Sequence, residues 1–112
     1  MLITLKEMMG FAEKEGIAIG GFNTPNLASL EAVIGAAEEE NLPVILMFAE
    51  CHDEWVSLDL IGPAMLKAAR QATVPVCVHL DHGEHLEYLK KALELGFTGI
   101  MYDGSVLPYE EN

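Results

Sequence analysis

V-P-V-C-V-H-L-D-H-G, from Val74 to Gly83, decides the fold. Its first half is branched and apolar and sits between a proline and a glycine, which reads as a buried strand over Val76–Leu80. Alternation within it puts Val76, Val78 and Leu80 on one face and Cys77, His79 and Asp81 on the other. The branched face should meet helices, leaving Asp81 at the rim of the opposite face. Downstream, Leu86–Leu95 repeats apolar residues at helical spacing and stops at Gly96; Thr98–Tyr102 is then a further strand. Upstream, helix Leu58–Ala72 leads into the stretch, and strand Val44–Phe48 precedes that helix.

The same alternation reaches back to the amino end. I-A-I-G-G-F-N (Ile17–Asn23) reads as the first strand, followed by a helix capped by Thr24 with Pro25 at its first position. Before it, Thr4 and Glu7 form a capping box ahead of the apolar stripe Leu5, Met8, Met9 and Ala12, and Gly16 supplies a left-handed stop. Apolar strands separated by helices mean an α/β fold with parallel pairing and right-handed crossovers. Pro108 followed by acidic residues reads as the start of another helix. Four parallel strands alone leave two open edges, so the sequence is expected to be part of a larger assembly.

Composition narrows the function. The 112 residues carry 18 acidic and 6 basic side chains, a formal net charge of −12, and 51% are hydrophobic. The apolar content opposes disorder, and the acidic balance opposes nucleic acid and anionic membrane surfaces as partners. No apolar run approaches the ~18 residues of a membrane span. Two cysteines, Cys51 and Cys77, read as reduced thiols of a cytoplasmic protein.

Candidate chemistry gathers at the carboxyl ends of the strands: Asn23, then Glu50 and Cys51, then Asp81 and His82, then Asp103. Loops converge there over a rigid base in parallel α/β folds. Other polar residues have structural readings. His79 is expected to be a hydrogen-bonded interior histidine, and His52 and His85 loop or helix-start residues. Glu50 is expected to be a rim carboxylate held by a loop amide, and Glu87 with Lys91 a solvated i,i+4 pair.

Taken together, H-L-D-H-G (His79–Gly83), G-F-T-G-I-M-Y-D-G-S (Gly96–Ser105) running into L-P-Y-E-E-N, and G-G-F-N (Gly20–Asn23) resemble the class II, metal-dependent fructose-/tagatose-bisphosphate aldolases. The likeness covers the whole chain. It implies the first half of a (β/α)₈ barrel, with residues 1–112 the N-terminal part of one barrel domain that breaks off at the start of the fourth barrel helix. By that resemblance His82 matches a ligand of the catalytic Zn²⁺. Asp81 matches the acid/base for the substrate's C4 hydroxyl, and Asn23 an asparagine beside the substrate. Asp103 matches a carboxylate associated with a second divalent or monovalent cation position. A-E-C-H (Ala49–His52) departs from the Ser/Gly-containing segment frequent in the family.

The implied reaction cleaves a ketose 1,6-bisphosphate, fructose or tagatose, to dihydroxyacetone phosphate and glyceraldehyde 3-phosphate. The implied assembly is a homodimer or homotetramer of the full-length protein. All five lysines (Lys6, Lys14, Lys67, Lys90 and Lys91) fall in expected helices, so none stands at a strand end to form a Schiff base. A metal can store the same electron pair instead. One histidine cannot hold a catalytic zinc alone, so the chain by itself is expected to be inactive. Two other readings remain open: a non-catalytic half-barrel that pairs with itself or a complementary chain, and an open doubly wound phosphoacceptor module. The latter lacks an acidic cluster after its first strand.

Overall fold

The computed structural model describes residues 1–112. Helix α1 (Leu5–Glu15) starts at the Thr4–Glu7 capping box and ends at Gly16, whose φ of +66° lets its N–H reach the carbonyls of Ala12 and Glu13. Then follow β1 (Gly21–Asn23), α2 (Leu27–Glu40), β2 (Val44–Ala49), a 3₁₀ turn (Glu50–Glu54), α3 (Leu58–Gln71), β3 (Val76–Gly83), α4 (Leu86–Leu95) and β4 (Gly99–Tyr102). All four strands are parallel, in the spatial order β1-β2-β3-β4. This is the α/β alternation that the sequence dictates.

Two expectations at the amino end need correction. The first strand is shorter than Ile17–Asn23, because the ladder with β2 opens only at Gly21↔Ile45. Its sole neighbour begins at Val44, just after Pro43, which has no N–H to offer residues further back. Thr24 is not the cap of α2. A residue before proline is held extended, so Thr24 continues the ladder, its N–H bonding Met47 O at 2.9 Å. The cap is Asn26, whose side chain accepts from Ser29 N at 2.9 Å. At the other end, Pro108 opens a turn closed by the N–H groups of Glu111 and Asn112, the second of them the i→i+4 bond of a helical turn.

The parity within β3 is as expected. Val76, Val78 and Leu80 join Leu46 and Phe48 of β2 in the main core against Leu58, Ile61, Met65 and Leu66 of α3 and Leu89 of α4. On the other face Cys77 packs with Ile45 and Met8, so α1 covers the inner face. It does so near the strands' amino ends, where Ile3 N bonds Val76 O and Leu5 N bonds Thr98 O. That leaves the carboxyl ends open. His79 lies on this inner face, 9% exposed, but its Nδ1 has no hydrogen-bond partner. The expected bond is missing, and Nδ1 instead lies so close to Gly99 that a Cβ there would sit 2.7 Å from it. Burial lowers the His79 pKa. The expected Glu87–Lys91 pair is also replaced: Lys90 bonds Glu87 at 2.6 Å, while Lys91 turns to Asp59 of α3 at 2.8 Å.

Candidate active site

The site is built where β3 stops being regular. β2 and β3 run in step from Val44↔Val76 to Ala49↔Asp81, whereas the register between β3 and β4 shifts between Leu80 and Gly83. Within that shift His82 takes a φ of +46°, a left-handed backbone that a side chain other than glycine's makes costly. A regular strand would send Asp81 and His82 to opposite faces. The left-handed residue brings them together instead, with His82 Nε2 3.9 Å from Asp81 Oδ1.

Asp103, just beyond β4, completes the cluster. Its N–H bonds Gly83 O at 2.8 Å, and its Oδ2 lies 2.6 Å from His82 Nδ1. The other carboxylate oxygen accepts from Ser105 N at 2.9 Å. These bonds, from Ser105 and from the imidazole, hold the Asp103 carboxyl down to about 2. In return the Asp103 hydrogen bond, helped by the Asp81 charge, raises the pKa of His82. With Nδ1–H committed to Asp103, the neutral ring keeps its Nε2 lone pair free on the Asp81 side. Asp81 and Asp103 side chains are 16% and 18% exposed, His82 59%.

The structure therefore gathers Asp81, His82 and Asp103. Asn23 stands apart at the end of β1, in register with Met47 and through it with His79, and no hydrogen bond ties it to the trio. No group of three His, Cys, Asp or Glu side chains is arranged to hold a metal. One imidazole nitrogen beside two carboxylates suits a single ligand of a zinc site, not a complete one.

Glu50 is the rim carboxylate expected. Its Oε2 accepts from Glu84 N at 2.7 Å and His85 N at 3.2 Å, and its Oε1 lies 2.5 Å from His85 Nδ1. His85 is the N-cap residue of α4, and His52 accepts from Ala49 N while stacking on Trp55. A second tie escaped sequence reasoning. Asp53 accepts from Tyr88 OH at 2.7 Å and Leu58 N at 2.9 Å, joining the 3₁₀ turn to α3 and α4. No spacing announces it, because the two residues are 35 positions apart.

Comparison with known proteins agrees with this geometry. The family model described as fructose-bisphosphate aldolase class-II matches residues 3–112. A probable fructose-bisphosphate aldolase of Bacillus subtilis is 42% identical over 99% of this chain, and a fructose-bisphosphate aldolase of Staphylococcus aureus 39%. The chain spans about 40% of the length of these relatives. Among solved structures, the YdjI aldolase of Escherichia coli K12 superposes over all of this chain and 44% of its own, with a TM-score of 0.93 and 36% identity. The strands and helices here are thus the first half of an aldolase barrel, and the chain belongs to the class II fructose-bisphosphate aldolase family.

Proposed function

We propose that this chain is the N-terminal part of a zinc-dependent aldolase that reversibly cleaves a ketose 1,6-bisphosphate, fructose or tagatose, to dihydroxyacetone phosphate and glyceraldehyde 3-phosphate. The observation that carries the reading is the imidazole of His82, fixed through Nδ1 with Nε2 free beside Asp81. His82 is one ligand of the zinc, and the remaining ligands come from later strands of the barrel. Bound zinc supplies positive charge for the electron pair left on C3 when the C3–C4 bond breaks.

The chain's own residues do the rest. Asp81 accepts the proton of the C4 hydroxyl in cleavage and returns it in condensation. Asp103 orients His82, and its carboxylate also stands where a second cation would bind. Asn23 contacts substrate from the end of β1. Alone, the 112 residues bind metal weakly and do not turn over substrate. The full-length protein is a cytoplasmic homodimer or homotetramer, its barrel one domain. In it, Asp81→Ala should cut turnover by ~10²- to 10⁴-fold, the usual worth of a placed general base, while zinc content stays full. Unchanged turnover would remove Asp81 from the role, and full zinc content by atomic emission in His82→Ala would remove His82.

A further inference from the structure

We propose that Glu50 is a positioning residue for His82, acting from the neighbouring loop; the inference rests on the reading of His82 as a metal ligand. His82 holds a left-handed backbone with a full side chain, which persists only where its surroundings impose it. On one side, the Ala49↔Asp81 rung fixes the residue before it. On the other, Gly83 is bonded to Asp103 N and paired with Tyr102, and the next two N–H groups, of Glu84 and His85, converge on Glu50 Oε2. Glu50 directly follows Ala49. Two adjacent residues of one chain segment therefore grip β3 immediately before and shortly after His82, and the left-handed step has nowhere to relax.

The carboxylate suits this task better than a neutral group. One oxygen receives both backbone N–H groups and the other receives the His85 ring, 2.5 Å away. The grip is charge-assisted throughout. Asp53, on the same 3₁₀ turn, ties to Tyr88 and Leu58 instead. It anchors the loop without touching the residues around His82, which makes it the natural control.

The first test uses the full-length protein labelled for NMR. In Glu50→Ala the Cα and Cβ shifts of His82 should leave the left-handed range, and the Glu84 and His85 amide protons should move upfield. Glu50→Gln, which keeps an acceptor oxygen, should retain the His82 shifts in part. The second test measures zinc affinity of the full-length protein by competition with a chromophoric chelator. Glu50→Ala should weaken it ~10- to 100-fold, as loss of an outer-shell partner does, with activity recovering as zinc is raised. Asp53→Asn should lower the melting temperature and leave zinc affinity unchanged.

Left-handed His82 shifts that survive in Glu50→Ala would overturn the proposal, as would wild-type zinc affinity in that variant or an equal loss in Asp53→Asn. Should Glu50→Ala fail to fold, Glu50→Gln decides by the same readouts. If the wild-type protein binds no zinc, the metal-ligand reading fails, and the NMR experiment still decides whether Glu50 sets the His82 backbone.

Discussion

Gly83→Ala would test how tightly the site is wedged into the fold. A Cβ at position 83 would lie 2.8 Å from Leu89 Cδ1, 3.1 Å from Leu89 Cγ and 3.1 Å from the backbone oxygen of Met101. Ordinary carbon–carbon contact begins near ~3.5 Å, so the closest approach is about 0.7 Å too short. Leu89 is buried at 6% exposure and Met101 O belongs to β4, so neither retreats freely. Overpacking of a filled core costs ~1–3 kcal/mol, and with a backbone atom among the clashes we expect ~2–3 kcal/mol. At ~2–4 °C per kcal/mol for a barrel domain of about 250 residues, the melting temperature of the full-length protein should fall by ~4–12 °C in thermal unfolding followed by circular dichroism. In a Leu89→Ala background the side-chain clashes vanish and only the Met101 contact remains, so the added cost should shrink to ~1 kcal/mol. A change within ~0.5 kcal/mol of wild type, or the same cost in both backgrounds, would refute the packing argument. Because Asp103 lies two residues after Met101, the substitution should also loosen the His82–Asp103 bond.

Three further outcomes follow from particular contacts. Asp103→Asn removes the partner that most raises the His82 pKa, so the NMR titration midpoint of His82 should fall towards the ordinary ~6.5. The sign for stability is set by the raised value: the protonated His82–Asp103 pairing stabilises the fold at low pH, and this contribution is lost as pH rises through the elevated His82 pKa. Metal binding must displace the same proton, so it should weaken as pH falls through that value. Tyr88→Phe deletes the hydroxyl bonded to Asp53 and should cost ~1 kcal/mol in urea unfolding. Asp53, whose pKa that bond lowers, contributes its stability above the ordinary carboxylate range and loses it as pH falls through the lowered value; in Tyr88→Phe this acid dependence should shrink. Asn26→Ala should cost ~1 kcal/mol by removing the true cap of α2, and a null effect in the same assay would reopen the assignment of that helix start.

The sequence spoke clearly wherever one local signal decided the matter. α4 spans Leu86–Leu95 with Gly96 as its left-handed stop, as expected, because apolar spacing and a glycine settle both ends. α1 obeys its capping box for the same reason. Around Pro25 the sequence reading selects Thr24 as the cap and misses Asn26, because the extended preference of a residue before proline keeps Thr24 in the strand. The start of β1 depended on where its neighbour begins, which no property of Ile17–Gly20 encodes. Around the candidate site, motif resemblance supplied the residues and strand parity supplied only their side of the sheet. The left-handed backbone of His82 was not legible, since bonds from Asp103 and Glu50, 21 and 32 positions away, surround it rather than any neighbour in the chain.

The irregular step in β3 has a consequence for how this segment tolerates change. Only Asp81 and His82 lie between Leu80 and Gly83, so the extra residue that keeps β3 and β4 from zipping as an uninterrupted ladder is one of the pair itself. A protein shortened there should be sturdier in its sheet, but it would have lost either the carboxylate or the imidazole. Regularity of the sheet and the gathering of these two side chains are thus mutually exclusive, and deletions in this tetrapeptide should be purged more severely than in the regular part of the strand.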